Sequence, residues 1–132
     1  MADADFRVKF PYHSNIVSTP VLITSEEPTF TTINTLIITD NLPAGTYVLT
    51  GNYEWSMPDV NDSAIFRIIS PLTLGTEYKQ EPKDASDLQL RSVNSQFEWS
   101  GGPITFTFEG SITVGATILT IGFSQLIFER KV

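Results

Sequence analysis

The chain has no cysteine, a single histidine and only eight lysine and arginine residues in 132. Without thiols there is no cysteine nucleophile, no disulfide staple and no thiolate metal site, and nothing depends on an oxidising compartment. One imidazole supplies too few ligands for a zinc-type site. The basic residues are scattered from Arg7 to Lys131 and cluster no further than Arg130-Lys131, while fifteen acidic residues bring the formal net charge to −7. A binder of nucleic acid or anionic membrane needs a basic face to displace counterions, so neither partner is expected. The acidity serves solubility. Apolar runs such as Leu36-Ile37-Ile38 and Leu126-Ile127-Phe128 are far shorter than the roughly twenty residues that cross a bilayer. Met1-Ala2-Asp3-Ala4-Asp5 is acidic and lacks an apolar stretch, so no secretory signal is read and a soluble protein is expected.

Helical periodicity is missing too. The single candidate, Glu77 to Leu90, is interrupted by Pro82. Thr, Ile, Val and Phe dominate instead, punctuated by Pro and Gly, which predicts an all-β chain. The clearest strand follows the turn Pro43-Ala44-Gly45. From there Tyr47, Leu49, Tyr53 and Trp55 alternate with Thr46, Val48, Thr50, Asn52, Glu54 and Ser56. Successive strand side chains point to opposite faces, so one face packs on a core and the other meets water. Strands are expected near 6–10, 16–24, 30–39, 45–56, 64–70, 74–79, 88–99, 103–112 and 115–130. With no internal repeat, this spacing predicts one domain, an antiparallel two-sheet sandwich or jelly roll of about eight strands. Residues 1–24 stand apart as an extended arm or edge strand, because Pro11 and Pro20 interrupt them, and 25–132 form the domain. The expected core is Tyr47, Leu49, Tyr53, Trp55, Ile104, Phe106, Phe108, Leu119, Ile121 and Phe123.

Two strands carry apolar residues on both faces. Near 115–130, Leu119, Ile121, Phe123 and Ile127 oppose Ile118, Leu126 and Phe128; near 30–39, Ile33 and Ile37 oppose Leu36 and Ile38. A β-bulge that switches the alternation gives this pattern. So does a subunit interface covering Leu36, Ile38, Leu126 and Phe128.

Candidate chemistry is thin. His13 precedes Ser14, too close for a neighbour-oriented triad, and reads as a polar loop residue. Asp59, Asn61 and Asp62 form one acidic loop, and Glu77, Glu81, Asp84 and Asp87 another. Both lack the glycine and distal glutamate of an EF-hand and read as solvated loops. Glu54 and Glu98 each precede a tryptophan, and paired acids of that kind could serve glycoside hydrolysis only at about 5–10 Å. Exposed tryptophans would suit sugar stacking, but the alternation puts Trp55 inside. Gly101-Gly102-Pro103 is a turn, not a phosphate cradle. No enzyme, metal or cofactor is expected.

Leu42-Pro43-Ala44-Gly45-Thr46-Tyr47 with Trp55, then Ile104-Thr105-Phe106-Thr107-Phe108, then Ala116-Thr117-Ile118-Leu119-Thr120-Ile121 closing on Leu126-Ile127-Phe128-Glu129-Arg130 resembles a known pattern. It is similar to short phage virion proteins with a jelly roll of the tumour-necrosis-factor/C1q kind. The resemblance covers residues 40–56 and 103–131. It implies a non-enzymatic homotrimer in the virion: a head decoration (cement) protein made in the host cytoplasm and bound to the major capsid protein at the capsid surface. It also implies attachment through an arm, for which Phe6, Val8, Phe10 and Tyr12 are the candidate residues. Two alternatives stand beside it. One is a receptor-binding tail-fibre or spike head domain, although the chain shows no shaft of repeats or coiled coil. The other is a carbohydrate-binding module.

Overall fold

A computed structural model describes residues 12–71, 77–82, 84–86 and 88–131. Its strands are β1 (Tyr12–Val17), β2 (Val21–Ile23), β3 (Thr31–Ile38), β4 (Gly45–Ser56), β5 (Ala64–Ile69), β6 (Tyr78–Gln80), β7 (Gln89–Trp99), β8 (Ile104–Ile112) and β9 (Leu119–Arg130). One sheet runs β1-β9-β4-β7, with β2 continuing β1 along β9, and the other runs β3-β8-β5-β6. All strand pairings are antiparallel. The expected two-sheet sandwich is therefore the fold.

Its topology follows from one long hairpin. β5 pairs with β6, β4 with β7, β3 with β8, and β1 and β2 with β9, each nested around the last. Every nested pair is centred on residues 70–72, so the chain doubles back once and the doubled ribbon is rolled. Rolling adds two further contacts, β4 with β9 and β5 with β8, which close the sheets. This is a jelly roll, in which most connections pass from one sheet to the other.

Pro20 splits the strand expected at 16–24, since proline cannot donate to a ladder. β1 and β2 are the two pieces, and together they form one edge of the first sheet.

Two bulges answer the question of the two-faced strands. In β9, Phe123 faces Glu54 while Ile121 faces Trp55, so Gly122 is an extra residue and the alternation flips there. Before it Leu119 and Ile121 point inward; after it Ser124, Leu126 and Phe128 do. Phe123 is thrown to the outer face and is only half-buried, which corrects its expected place in the core. In β3 the register shifts between Thr32 and Asn34, so Ile33, Leu36 and Ile38 all turn inward and Ile37 stays exposed. Leu36, Ile38, Leu126 and Phe128 are thus core residues of a single chain, each at most 4 % exposed. The bulges, not a subunit interface, explain these four positions.

The core is a column of rings between the sheets. Tyr47 stacks on Phe128 at 4.7 Å, Phe106 meets Phe128 at 4.8 Å, and Tyr53 touches Phe66 and Phe108 at 4.7 and 4.9 Å. Such pairs contribute about 0.5–1.5 kcal/mol each beyond the burial of their area. At one end, Gly101 holds φ +100°, and a Cβ there would sit 2.8 Å from the Leu42 carbonyl oxygen. The same oxygen accepts from the Gly102 N–H at 2.8 Å, tying the β7–β8 turn to the lead into β4. Only glycine permits that approach.

Candidate interaction surfaces

The outer face of the first sheet is the broadest regular surface described. Its rows follow from the register. Gln96, Val48, Glu129 and Tyr12 form one row; Asn94, Thr50, Ile127 and Ser14 the next; then Ser92, Asn52, Gln125 and Ile16. The last row sets Leu90, Glu54 and Phe123 side by side. Its centre sets Val48 and Ile127 among Thr50, Asn52 and Gln125, with Tyr12 and Ile16 exposed along the β1 edge, Phe123 on β9 and Leu90 on β7. Leu90 is 76 % exposed. Around it a cleft of about 350 Å³ opens between Asn52, Glu54, Ser92 and Phe123. The β9 bulge makes this cleft, because it pushes Phe123 outward opposite Glu54.

The two glutamates considered for acid–base work do not meet. Glu54 lies in the cleft. Glu98 pairs across from Thr46, eight residues along β4, and accepts a hydrogen bond from the Thr46 hydroxyl. At about 3.3 Å per residue the separation is roughly 26 Å, several times the span a glycosidase pair requires. Trp55 is buried, and Trp99 is half-buried with its Nε1 donating to the Gly102 carbonyl at 3.1 Å. Neither ring stands out as a stacking platform.

His13 and Ser14 are adjacent strand residues and point to opposite faces. His13 Nε2 instead lies 3.6 Å from Asp40 Oδ2. The carboxylates of the acidic loop near 59–62 accept from backbone N–H groups: Asp59 Oδ1 from Asn61 at 2.9 Å, and Asp62 Oδ2 from Thr117 of a distant loop at 3.2 Å. Among the described residues no three His, Cys, Asp or Glu groups gather as a metal site would require.

One edge of the sandwich is sealed by side chains. β1 lies against β3, the two being edge strands of different sheets. Asn15 Nδ2 donates to Asn34 Oδ1 at 2.8 Å and to the Thr35 carbonyl at 3.1 Å. Asn34 Nδ2 returns a bond to the Asn15 carbonyl at 3.1 Å and another to Ser124 Oγ at 3.1 Å. Asn34 is 2 % exposed, so its amide is buried with both donor hydrogens used and its oxygen accepting. Carbonyls that would otherwise template an incoming strand are taken. An asparagine between Ile33 and Leu36 was the one sequence signal of this seam, since it falls where the pattern calls for an apolar residue.

The two large buried tyrosines differ. Tyr47 donates its hydroxyl to the Pro43 carbonyl at 2.6 Å, and burial raises its pKa. Tyr53 Oη is buried without a protein partner, and burial pushes its pKa up to about 12, moderated by the nearby Arg91 charge. A phenol so held stays neutral and takes no part in proton transfer near neutral pH. Of the arm residues, Tyr12 opens β1 and is exposed, whereas Phe6, Val8 and Phe10 lie outside the described residues.

Neither a family model nor any curated protein sequence matches the chain. Solved structures do. The structure of infectious bursal disease virus Gt strain superposes with a TM-score of 0.61 at 10 % identity, covering 93 % of this chain and 34 % of that one. The infectious bursal disease virus VP2 subviral particle gives 0.54 at 10 % identity, over 95 % of this chain and 38 % of that one. Dimeric latent PorU from Porphyromonas gingivalis gives 0.50 at 6 % identity, over 91 % and 13 % respectively. This chain thus spans about a third of the length of the viral chains it overlays. At such identities the likeness is one of fold.

Proposed function

We propose that this chain is a structural protein of a virus particle: a bacteriophage head decoration protein that binds and stabilises the capsid shell and carries no catalytic activity. The observation that supports it most is the rolled-hairpin jelly roll, which overlays viral chains over 93–95 % of its length. The phage virion resemblance of residues 40–56 and 103–131 supports the finer reading. So does the outer face of the first sheet, whose mix of uncharged polar and apolar side chains, with few cations, suits a protein surface better than a polyanion. The major capsid protein is the partner. On this reading Tyr12 and Ile16, exposed on β1, meet it together with Phe6, Val8 and Phe10, which precede them in sequence.

The test uses shells lacking the protein. Added full-length protein should bind them in numbers comparable to the capsid subunits. Removing residues 1–11 should leave the fold intact and weaken attachment about tenfold or more, equivalent to at least 1.4 kcal/mol. Binding to host cells without binding to shells would replace this reading with the receptor-binding one.

A further inference from the structure

Among the described residues β7 is the longest edge strand, and no described strand lies along the outer side of Leu90–Trp99. It runs eleven residues from Gln89 to Trp99, pairs with β4 on one side, and ends the first sheet. Among the described residues no strand pairs with its other side. The neighbouring edge of the second sheet offers little cover, because β6 spans three residues and reaches only Ala64–Phe66 of β5. Natural edge strands are usually blunted by proline, lysine, a bulge or brevity. β7 has no proline, no lysine, no glycine and no register shift against β4; its two charges are Arg91, whose guanidinium lies 2.7 Å from the Gln80 side chain of β6, and Glu98. The β1–β3 edge of this same chain is closed by the Asn15–Asn34 amide pair, so an open β7 is a contrast within one molecule.

We infer that β7 is a self-association edge, where two copies of this chain pair antiparallel about a two-fold axis through Ser95 and join their first sheets into one. The sequence of the strand selects both the occupant and the register. With Ser95 on the axis, Val93 falls opposite the partner's Phe97, and both are inward-facing and half-buried at the rim of the core. On the outer face Asn94 falls opposite the partner's Gln96, an amide pair, and Ser92 opposite the partner's Glu98. No like charges meet. Moving the axis to Asn94 sets Val93 against serine and Leu90 against glutamate; moving it to Gln96 pairs Val93 with Trp99 but sets Phe97 against serine, whereas the Ser95 axis leaves no inward apolar residue against serine and sets Trp99 opposite the partner's Arg91. Cross-strand pairs on one face are the unit of sheet stability, so the apolar match at Ser95 picks that register. A two-fold contact of this kind is isologous and self-limiting, which satisfies the edge without building a fibre. The inference does not depend on what the protein attaches to, and it sets a two-fold pair in place of the homotrimer that the phage resemblance implies.

Charge reversal tests it without disturbing the fold. Asn94 and Gln96 are exposed on the outer face. In the inferred pair, Asn94→Lys with Gln96→Lys sets lysine opposite lysine twice, and Asn94→Glu with Gln96→Glu does the same with carboxylates. Wild type should sediment near twice 14.7 kDa at micromolar concentration. Each double variant alone should associate roughly tenfold more weakly or worse, with the β circular-dichroism signature of wild type and a melting temperature that matches wild type at dilutions where wild type is monomeric, and an equimolar mixture should recover the heterodimer. Because the chain has no cysteine, Ser95→Cys provides a second readout. Paired residues on the axis lie about 4.5–5.5 Å apart between Cα atoms, within disulfide range, so this variant should form covalent dimers under mild oxidation. Gln96→Cys, whose mate is displaced by two rows, should not. A wild-type monomer at these concentrations, a trimer, or a dimer indifferent to both charge variants would each overturn the inference.

Discussion

Along β1 and β3 the strand edges are closed by side chains, whereas along β7 they are left open. The closed side uses two asparagines nineteen residues apart, which bond each other and the carbonyls of the facing strands. The open side has the longer strand, and its link between the sheets, Arg91 of β7 to the Gln80 side chain of β6, uses side-chain atoms and takes no backbone carbonyl. Sealing an edge this way requires a fully satisfied buried amide, and a half-satisfied one would be worse than an apolar residue. A jelly roll can therefore treat its two sides differently without changing topology. Where the amides are complete the edge is inert, and where they are absent the ladder is available.

The predictions break this contrast in descending order of effect. Phe106 lies between the two sides, its ring 4.8 Å from Phe128 and 6.3 Å from Phe97, and it is fully buried. Phe106→Ala should cost about 3–5 kcal/mol in urea unfolding and loosen both sides. A loss below about 1 kcal/mol would contradict its place in the core. Next comes Asn34→Ala, which strands the Asn15 amide and carbonyl and the Ser124 hydroxyl at the sealed edge. About 2–3 kcal/mol of stability should go, with faster hydrogen exchange in β1 than in β7. Phe97→Ala, on the half-covered rim, should cost about 1–2 kcal/mol, because a partly exposed ring has less burial to lose.

The effect that is smallest near neutral pH is conditional on pH and grows with it. In the unfolded chain Tyr53 gives up its proton near pH 10, while the folded chain holds it to about pH 12. The folded state therefore binds more protons in that window, and stability falls as pH rises through it. Tyr53→Phe should be neutral or slightly stabilising near neutral pH, since it removes an unpartnered hydroxyl. Between pH 10 and about 12 its advantage over wild type should widen. Parallel stability curves for the two proteins across that range would show that Tyr53 is not held neutral by the fold.

How much the sequence disclosed depended on whether a feature was local. β4 occupies Gly45–Ser56, the span predicted from its alternation, and β7 and β8 fall within a residue of expectation. Strict period-2 patterning between turn residues makes such strands legible. The bulges were harder. Gly122 and Ile33 each add one residue, and a phase change looks the same as a second apolar face until the partner strand is known. That ambiguity allowed Leu36, Ile38, Leu126 and Phe128 to be read as an interface. Edges were not legible at all. Nothing in Gln89–Trp99 says that it ends a sheet, and nothing but a polar residue in an apolar strand hinted that Asn34 would find Asn15.

The rolled hairpin has one more consequence, for what can be joined to the domain. Its outermost pair sets Tyr12 opposite Glu129, so the chain comes in and goes out at a single corner, about one strand spacing apart. Segments attached upstream or downstream are delivered to the same place, and pulling on both would open the ribbon from its outermost pair inward, one pair at a time. The centre of the ribbon, near residue 71, lies farthest along the chain from that corner. A domain built this way can be spliced into a host sequence like a loop, attached through that one corner.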